Sequence, residues 1–277
     1  MSKEDNFYVG YLPFPRGLRR GYLIAIPVLI VLSIGIALGL ASNQQPAGEG
    51  SWQVAKTSAV TGRLSVDPYP IVHTVDGESV LLVIQGKRGA TDAAAPFAGQ
   101  MVTVTGFDVR RGSWQMLEIP ALGAVVAAPE AVVVTIPEAQ ALGVDSLLGE
   151  IVDSKCFLGV MKPGAGKVHR SCASLCLLGG MPPMLVVNTE EGRYGYVIIN
   201  GDGSSAARQL AGQVAIPVKL TGEFERRGDL MYIRLPSTGR GVEPLTGTLL
   251  TSYGDSLAVD PAVPAFCGVM PGPIAAT

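Results

Sequence analysis

Residues 81–120 and 196–236 read as one stretch written twice. A duplication restricts the fold more than composition does, because what one copy forms the other should form too. Val83-Ile84-Gln85-Gly86 answers Ile198-Ile199-Asn200-Gly201, and Ala98-Gly99-Gln100 answers Ala211-Gly212-Gln213. Thr105-Gly106 answers Thr221-Gly222, and Arg110-Arg111-Gly112 answers Arg226-Arg227-Gly228. Each copy opens on a similar strand, Thr61-Gly62-Arg63-Leu64 in the first and Leu148-Gly149-Glu150-Ile151 in the second. Chance rarely places so many matches in the same order.

Each copy reads as an opening strand, a β-pair, a short alanine-rich helix or loop, and a closing hairpin. In the second copy, residues 215–221 (AIPVKLT) and 230–235 (LMYIRL) carry β-branched and aromatic residues and turn at Arg227-Gly228-Asp229. Short strands with a helix inserted between the third and fourth resemble the OB-fold, a five-stranded Greek-key barrel. The resemblance implies a mainly β chain with two tandem OB-like five-stranded barrels, 52–120 and 147–236, joined by a linker, 121–146. Many functions use this fold, so it selects none of them.

Alignment of the copies isolates one difference. Thr61 answers Leu148 whereas Val83 answers Ile198, so the second copy carries about 28 extra residues, placed after Lys155. This insert (156–184) holds Cys156, Cys172 and Cys176, three of the four cysteines, and His169, one of the two histidines. Residues 168–178 contain no proline or glycine and then meet Gly179-Gly180, a helix stop. On a helix, His169, Cys172 and Cys176 share one face, and the turn Lys162-Pro163-Gly164-Ala165-Gly166 brings Cys156 back to them. In an OB-like fold the insert occupies the loop between strands one and two, a common ligand-binding loop.

Two chemistries fit that set. Three thiolates and an imidazole make a tetrahedral site for zinc; the nearby thioethers of Met161, Met181 and Met184 suit copper(I) better. The alternative is disulfides. Cys172 and Cys176, one helical turn apart, are too far apart to join each other, but Cys156 with one of them and Cys267 with the other remains open. Lys155, Lys162, Lys167 and Arg170 make the insert basic, which favours thiolates. Other chemistries lack their residues. Val168 stands where a P-loop needs Ser or Thr after Gly166-Lys167, and there is neither a C-x-x-C-H nor a G-x-S-x-G. No catalytic residue is assigned, and the protein is expected not to be an enzyme.

Upstream of the repeat, residues 21–42 contain no charge. Their core, 23–40, spans about 27 Å as a helix, enough to cross a bilayer. Arg16, Arg19 and Arg20 precede it, so the positive-inside rule places a tail (1–20) in the cytoplasm, an anchor at 21–42, and the rest outside. Arg19-Arg20-Gly21-Tyr22-Leu23 resembles a twin-arginine export signal, but the apolar run is longer than a cleaved signal needs, which favours an uncleaved anchor. Gly35 and Gly39 form a G-x-x-x-G face for another membrane helix, and the aromatic tail at 6–15 suits the membrane interface or a partner. Residues after Ser42 are mildly acidic and poor in aromatics, which argues against nucleic acid. Residues 237–277, proline-rich, read as an extended tail ending near Cys267.

These features together suggest a single-pass protein of the bacterial inner membrane, its bulk periplasmic. The leading reading is an accessory subunit of a respiratory or oxidative membrane complex with the Cys/His site outside the membrane. A copper or zinc carrier or assembly factor is the second reading, and a thiol-based redox enzyme the third.

Overall fold

The computed structural model describes residues 16–42, 50–120, 122–130, 132–189, 192–237 and 241–245. The aromatic segment at 6–15 and Cys267 lie outside them. Two compact units result, one within Met1–Pro46 and one within Ala47–Thr277.

The first unit is α1 (Arg16–Ser42), whose described side chains are exposed throughout. At 1.5 Å per residue it is about 40 Å long, more than a hydrocarbon core requires. Residues Gly17–Ser42 are long and apolar enough to cross a membrane, a property that spans share with signal sequences. A Cβ on Gly35 or Gly39 would meet nothing within 4 Å.

The second unit is mainly β. Its first copy comprises β1 (Ser51–Ser65), β2 (Ile71–Thr74), β3 (Ser79–Ile84), β4 (Arg88–Gly89), the short helix α2 (Thr91–Ala94), β5 (Met101–Arg111) and β6 (Trp114–Ile119). Next, β7 (Val125–Ala127) adds to β5, and Arg63 holds the following irregular stretch by donating to the Val134 carbonyl at 2.5 Å. The second copy comprises β8 (Gln140–Asp153), α3 (Arg170–Leu178), β9 (Pro183–Thr189), β10 (Gly192–Ile199), α4 (Ala207–Leu210), β11 (Pro217–Arg227) and β12 (Leu230–Arg234). Last comes β13 (Val242–Pro244), paired with β11.

Strand pairing repeats between the copies. The third and fifth strands run parallel in both, with Ile84 beside Ile119 and Val197 beside Tyr232. Thr105-Gly106 and Thr221-Gly222 both lie in the fourth strand, β5 and β11. The two glycines also meet equivalent neighbours: an added Cβ would lie 2.7 Å from the Glu118 carbonyl oxygen or 2.5 Å from that of Arg234. In the second copy β8, β9, β10, β12 and β11 close into a five-stranded barrel. The expectation of two such barrels is corrected for the first copy, whose seven-stranded sheet is not closed in this way. The first half of β1 (Ser51–Thr57) is exposed, and its pairing with β5 shifts register between Trp52 and Thr57.

Burial explains why β3 and β10 read as unbroken apolar runs instead of alternating: both their faces are covered. In β3, Leu82 faces the first copy's own core with Leu64, Val104 and Leu117, whereas Leu81 and Val83 face the second copy. In β10, Tyr196 and Ile198 face inward, whereas Val197 and Ile199 face the first copy. The shared core between the copies also takes Trp114, Met116, Phe157, Leu158 and Tyr232. Tyr69, from the β1–β2 loop, crosses into the second copy, donating to the Ile198 carbonyl at 2.8 Å and accepting from the Ala206 N–H at 3.0 Å.

Candidate metal centre

The insert joins β8 to β9, the first two strands of the second copy. It starts as a single buried turn at Cys156–Val160, passes an exposed loop, and enters α3 through a tight turn at Lys167–His169. Gly179 and Gly180 end α3, their N–H groups returning to the Leu175 and Leu177 carbonyls at 3.1 and 2.9 Å. At Gly179 any side chain would strike the Lys87 carbonyl oxygen, and the Gly89 N–H donates to the Gly179 carbonyl at 2.9 Å. The helix end is thus pressed against the β3–β4 turn of the first copy, which admits only glycine there.

Three cysteines converge. Cys156, Cys172 and Cys176 are free thiols whose sulfurs lie within 4.8 Å of one another, Cys156 and Cys172 being 4.0 Å apart. Cys156 and Cys176 are buried in the shared core with Met181 and Met184, whereas Cys172 is half-buried at its edge. Met161 is exposed. His169 was expected to share a helix face with Cys172 and Cys176, but it sits just before α3 and groups instead with Asp153 and Cys156. Its Nε2 is 2.9 Å from Asp153 Oδ2, and Asp153 Oδ1 accepts the Cys156 N–H at 2.9 Å. Asp153 is wholly buried, so one carboxylate positions both residues. Its role went unseen in the sequence, where the Asp153-x-x-Cys156 spacing was the signal.

Charge around the thiols comes from both copies. Lys87, in the first copy, donates to Cys172 Sγ at 2.7 Å, and that contact raises the lysine above its ordinary value. Cys156 and Cys176 share a hydrogen bond that separates them. It pushes Cys156 well up, aided by burial and the Asp153 charge, and draws Cys176 down against the cost of burial. Lys155, next to Cys156, is buried and spends its ammonium on the first copy: Glu118 Oε1 at 2.5 Å, the Gly86 carbonyl at 2.8 Å and the Ile84 carbonyl at 3.1 Å. The sulfur site is held from both sides.

This donor set fits a thiophilic metal. Thiolates bound to one ion at about 2.3 Å stand about 3.8 Å apart in a tetrahedron or about 4.0 Å in a trigonal plane. The Cys156–Cys172 separation of 4.0 Å matches that range and is roughly twice a disulfide bond. No known protein family, curated protein or solved structure matches the chain.

Proposed function

We propose that the protein is a membrane-anchored, non-enzymatic metal-binding subunit whose Cys156, Cys172 and Cys176 hold one zinc or copper(I) ion. The observation that carries this reading is the convergence of three free thiols at the seam between the copies, with a lysine against one of them. Sulfur donors suit both ions, and copper(I) accepts three such ligands. His169, fixed by Asp153, stands beside Cys156 as a reserve nitrogen donor. In this reading α1 is an uncleaved anchor in a bacterial inner membrane, and the β unit lies on the periplasmic side. Gly35, Gly39 and the N-terminal tail meet other subunits, as in a respiratory or oxidative complex. A carrier that hands its ion to a partner is the second reading, favoured by the partial exposure of Cys172.

The test is elemental analysis of full-length protein purified in detergent, paired with thiol counting after denaturation. The expected result is about one equivalent of zinc or copper, lost in the double variant Cys172→Ser/Cys176→Ser while the β circular dichroism is retained. No metal in fresh protein, with no free thiol, would show disulfides instead and overturn the reading.

A further inference from the structure

One thiol of the cluster meets the surface, and the other two do not. Cys156 and Cys176 are buried in the core that the copies share, whereas Cys172 is half-buried at its edge. Val168 and Leu175, four residues before Cys172 and three after it, are 84 and 54% exposed. The approach to its sulfur therefore lies open along this side of α3 among the described residues. At the same surface the Lys87 ammonium stands 2.7 Å from Cys172 Sγ. A cysteine within reach of solvent and set against a cation is the kind that reacts with electrophiles, whereas buried cysteines are inert.

The geometry also selects the second sulfur. Cys176 is one helical turn from Cys172, where Cβ atoms stand about 5–6 Å apart, beyond the roughly 3.5–4.5 Å of a disulfide. Cys156 lies off the helix, on the buried turn that follows β8, and its sulfur is 4.0 Å from that of Cys172. A disulfide needs about 2.0 Å between sulfurs, and rotation of one side chain closes a gap of about 2 Å. Within the cluster Cys172 therefore has one partner, Cys156.

Building on the metal reading above, we propose that Cys172 is a hydroperoxide-reactive thiolate whose oxidation bridges it to Cys156 and releases the bound ion. The Cys172 thiolate attacks one oxygen of the peroxide. The O–O bond breaks, the sulfur becomes a sulfenic acid, and hydroxide leaves beside the Lys87 ammonium. The Cys156 thiolate then attacks that sulfur, the S–S bond forms, and the sulfenic oxygen leaves as a second hydroxide. The two sulfurs have given up two electrons, and the peroxide has taken both. Of the three thiolates only Cys176 remains, too few to hold zinc or copper(I). A thiol reductant returns both sulfurs and restores the site.

The test starts from full-length protein in detergent, reduced, loaded with zinc, and treated with hydrogen peroxide while a chromogenic chelator records free zinc. The expected result is about one zinc released per peroxide consumed, a mass about 2 Da lower, and a single bridge from Cys156 to Cys172 by peptide mapping. Dithiothreitol should restore zinc binding. Lys87→Met should slow the release roughly tenfold, and Lys87→Arg, which keeps the charge, should retain most of the rate. Cys156→Ser, treated without metal, should stop at a sulfenic acid on Cys172 that dimedone traps. A bridge between other cysteines, first oxidation at Cys156 or Cys176, equal rates in both Lys87 variants and the parent, or zinc retained after peroxide would overturn the inference and leave the metal site standing. A reduced protein that takes up neither zinc nor copper would defeat the metal reading, and the release with it.

Discussion

The two copies share a strand order and differ chiefly in one loop. In the first, a short loop joins β1 to β2 and carries Tyr69, which packs into the other copy. In the second, the same connection has grown into the insert and carries three cysteines, His169 and the turn into α3. The second copy therefore carries the cysteine cluster, and residues of the first copy brace it. Glu118, Ile84 and Gly86 fasten Lys155, and Lys87 reaches Cys172. The insert is built into the core that the copies share, where Cys156, Phe157, Leu158 and Cys176 are buried, and the neighbouring copy braces it.

The largest expected effect breaks that support. Glu118→Ala leaves the Lys155 ammonium buried beside Cys156 without its counter-charge, which should cost about 3–5 kcal/mol in denaturant unfolding and loosen the proposed metal site. At the equivalent register of the second copy stands Arg234, paired with Glu225 at 2.8 Å. Arg234→Ala should cost less, about 1–3 kcal/mol, because Arg227 still pairs with Glu225. Equal costs would mean that the seam is not the special contact proposed here.

A symmetric pair of changes sharpens the likeness instead. Gly106→Ala and Gly222→Ala each force a Cβ against a carbonyl oxygen of the neighbouring strand. Each should destabilise by about 1–3 kcal/mol, and the two values should agree closely. A cost at one position alone would deny their equivalence.

The smallest effect belongs to the first copy only. His73 is buried between Ser65 and Ser79, 2.9 and 3.3 Å away, and burial lowers its pKa below the ordinary 6.5, with Asp229 partly opposing. The folded protein therefore holds fewer protons at this site than the unfolded chain. Stability should fall as pH drops below about 6.5 and level off below the folded-state value. Thermal melts against pH would show this slope, and His73→Gln should remove it. A melting temperature independent of pH in the parent protein would contradict the assignment.

Much of this was legible in the sequence because its causes are local or repeated. The turns at Arg111-Gly112 and Arg227-Gly228, the strand pattern, the apolar run of α1 and the helix stop at Gly179-Gly180 announce themselves residue by residue. The position of the insert followed from the repeat itself. What stayed hidden is tertiary. Leu81 and Val83 read as strand residues, but nothing in their order says that they face a second core. Glu118 looks like a surface charge until the other copy buries it, and nothing in the order of residues aims the exposed Lys87 at Cys172. His169 was placed on the cysteine face by helical spacing, yet the helix starts after it, and Asp153 draws its ring away. The openness of the first sheet was equally unreadable, since β1 carries a strand pattern throughout.

The central claim is that the seam holds one metal ion on sulfur. X-ray absorption at the zinc and copper edges of the purified full-length protein tests it most directly. The account predicts a first shell of at least three sulfur neighbours at about 2.3 Å around a single ion per chain, replaced on Cys172→Ser by a shell with one sulfur fewer. A shell of nitrogen and oxygen alone, or no metal at either edge in freshly prepared protein, would contradict it.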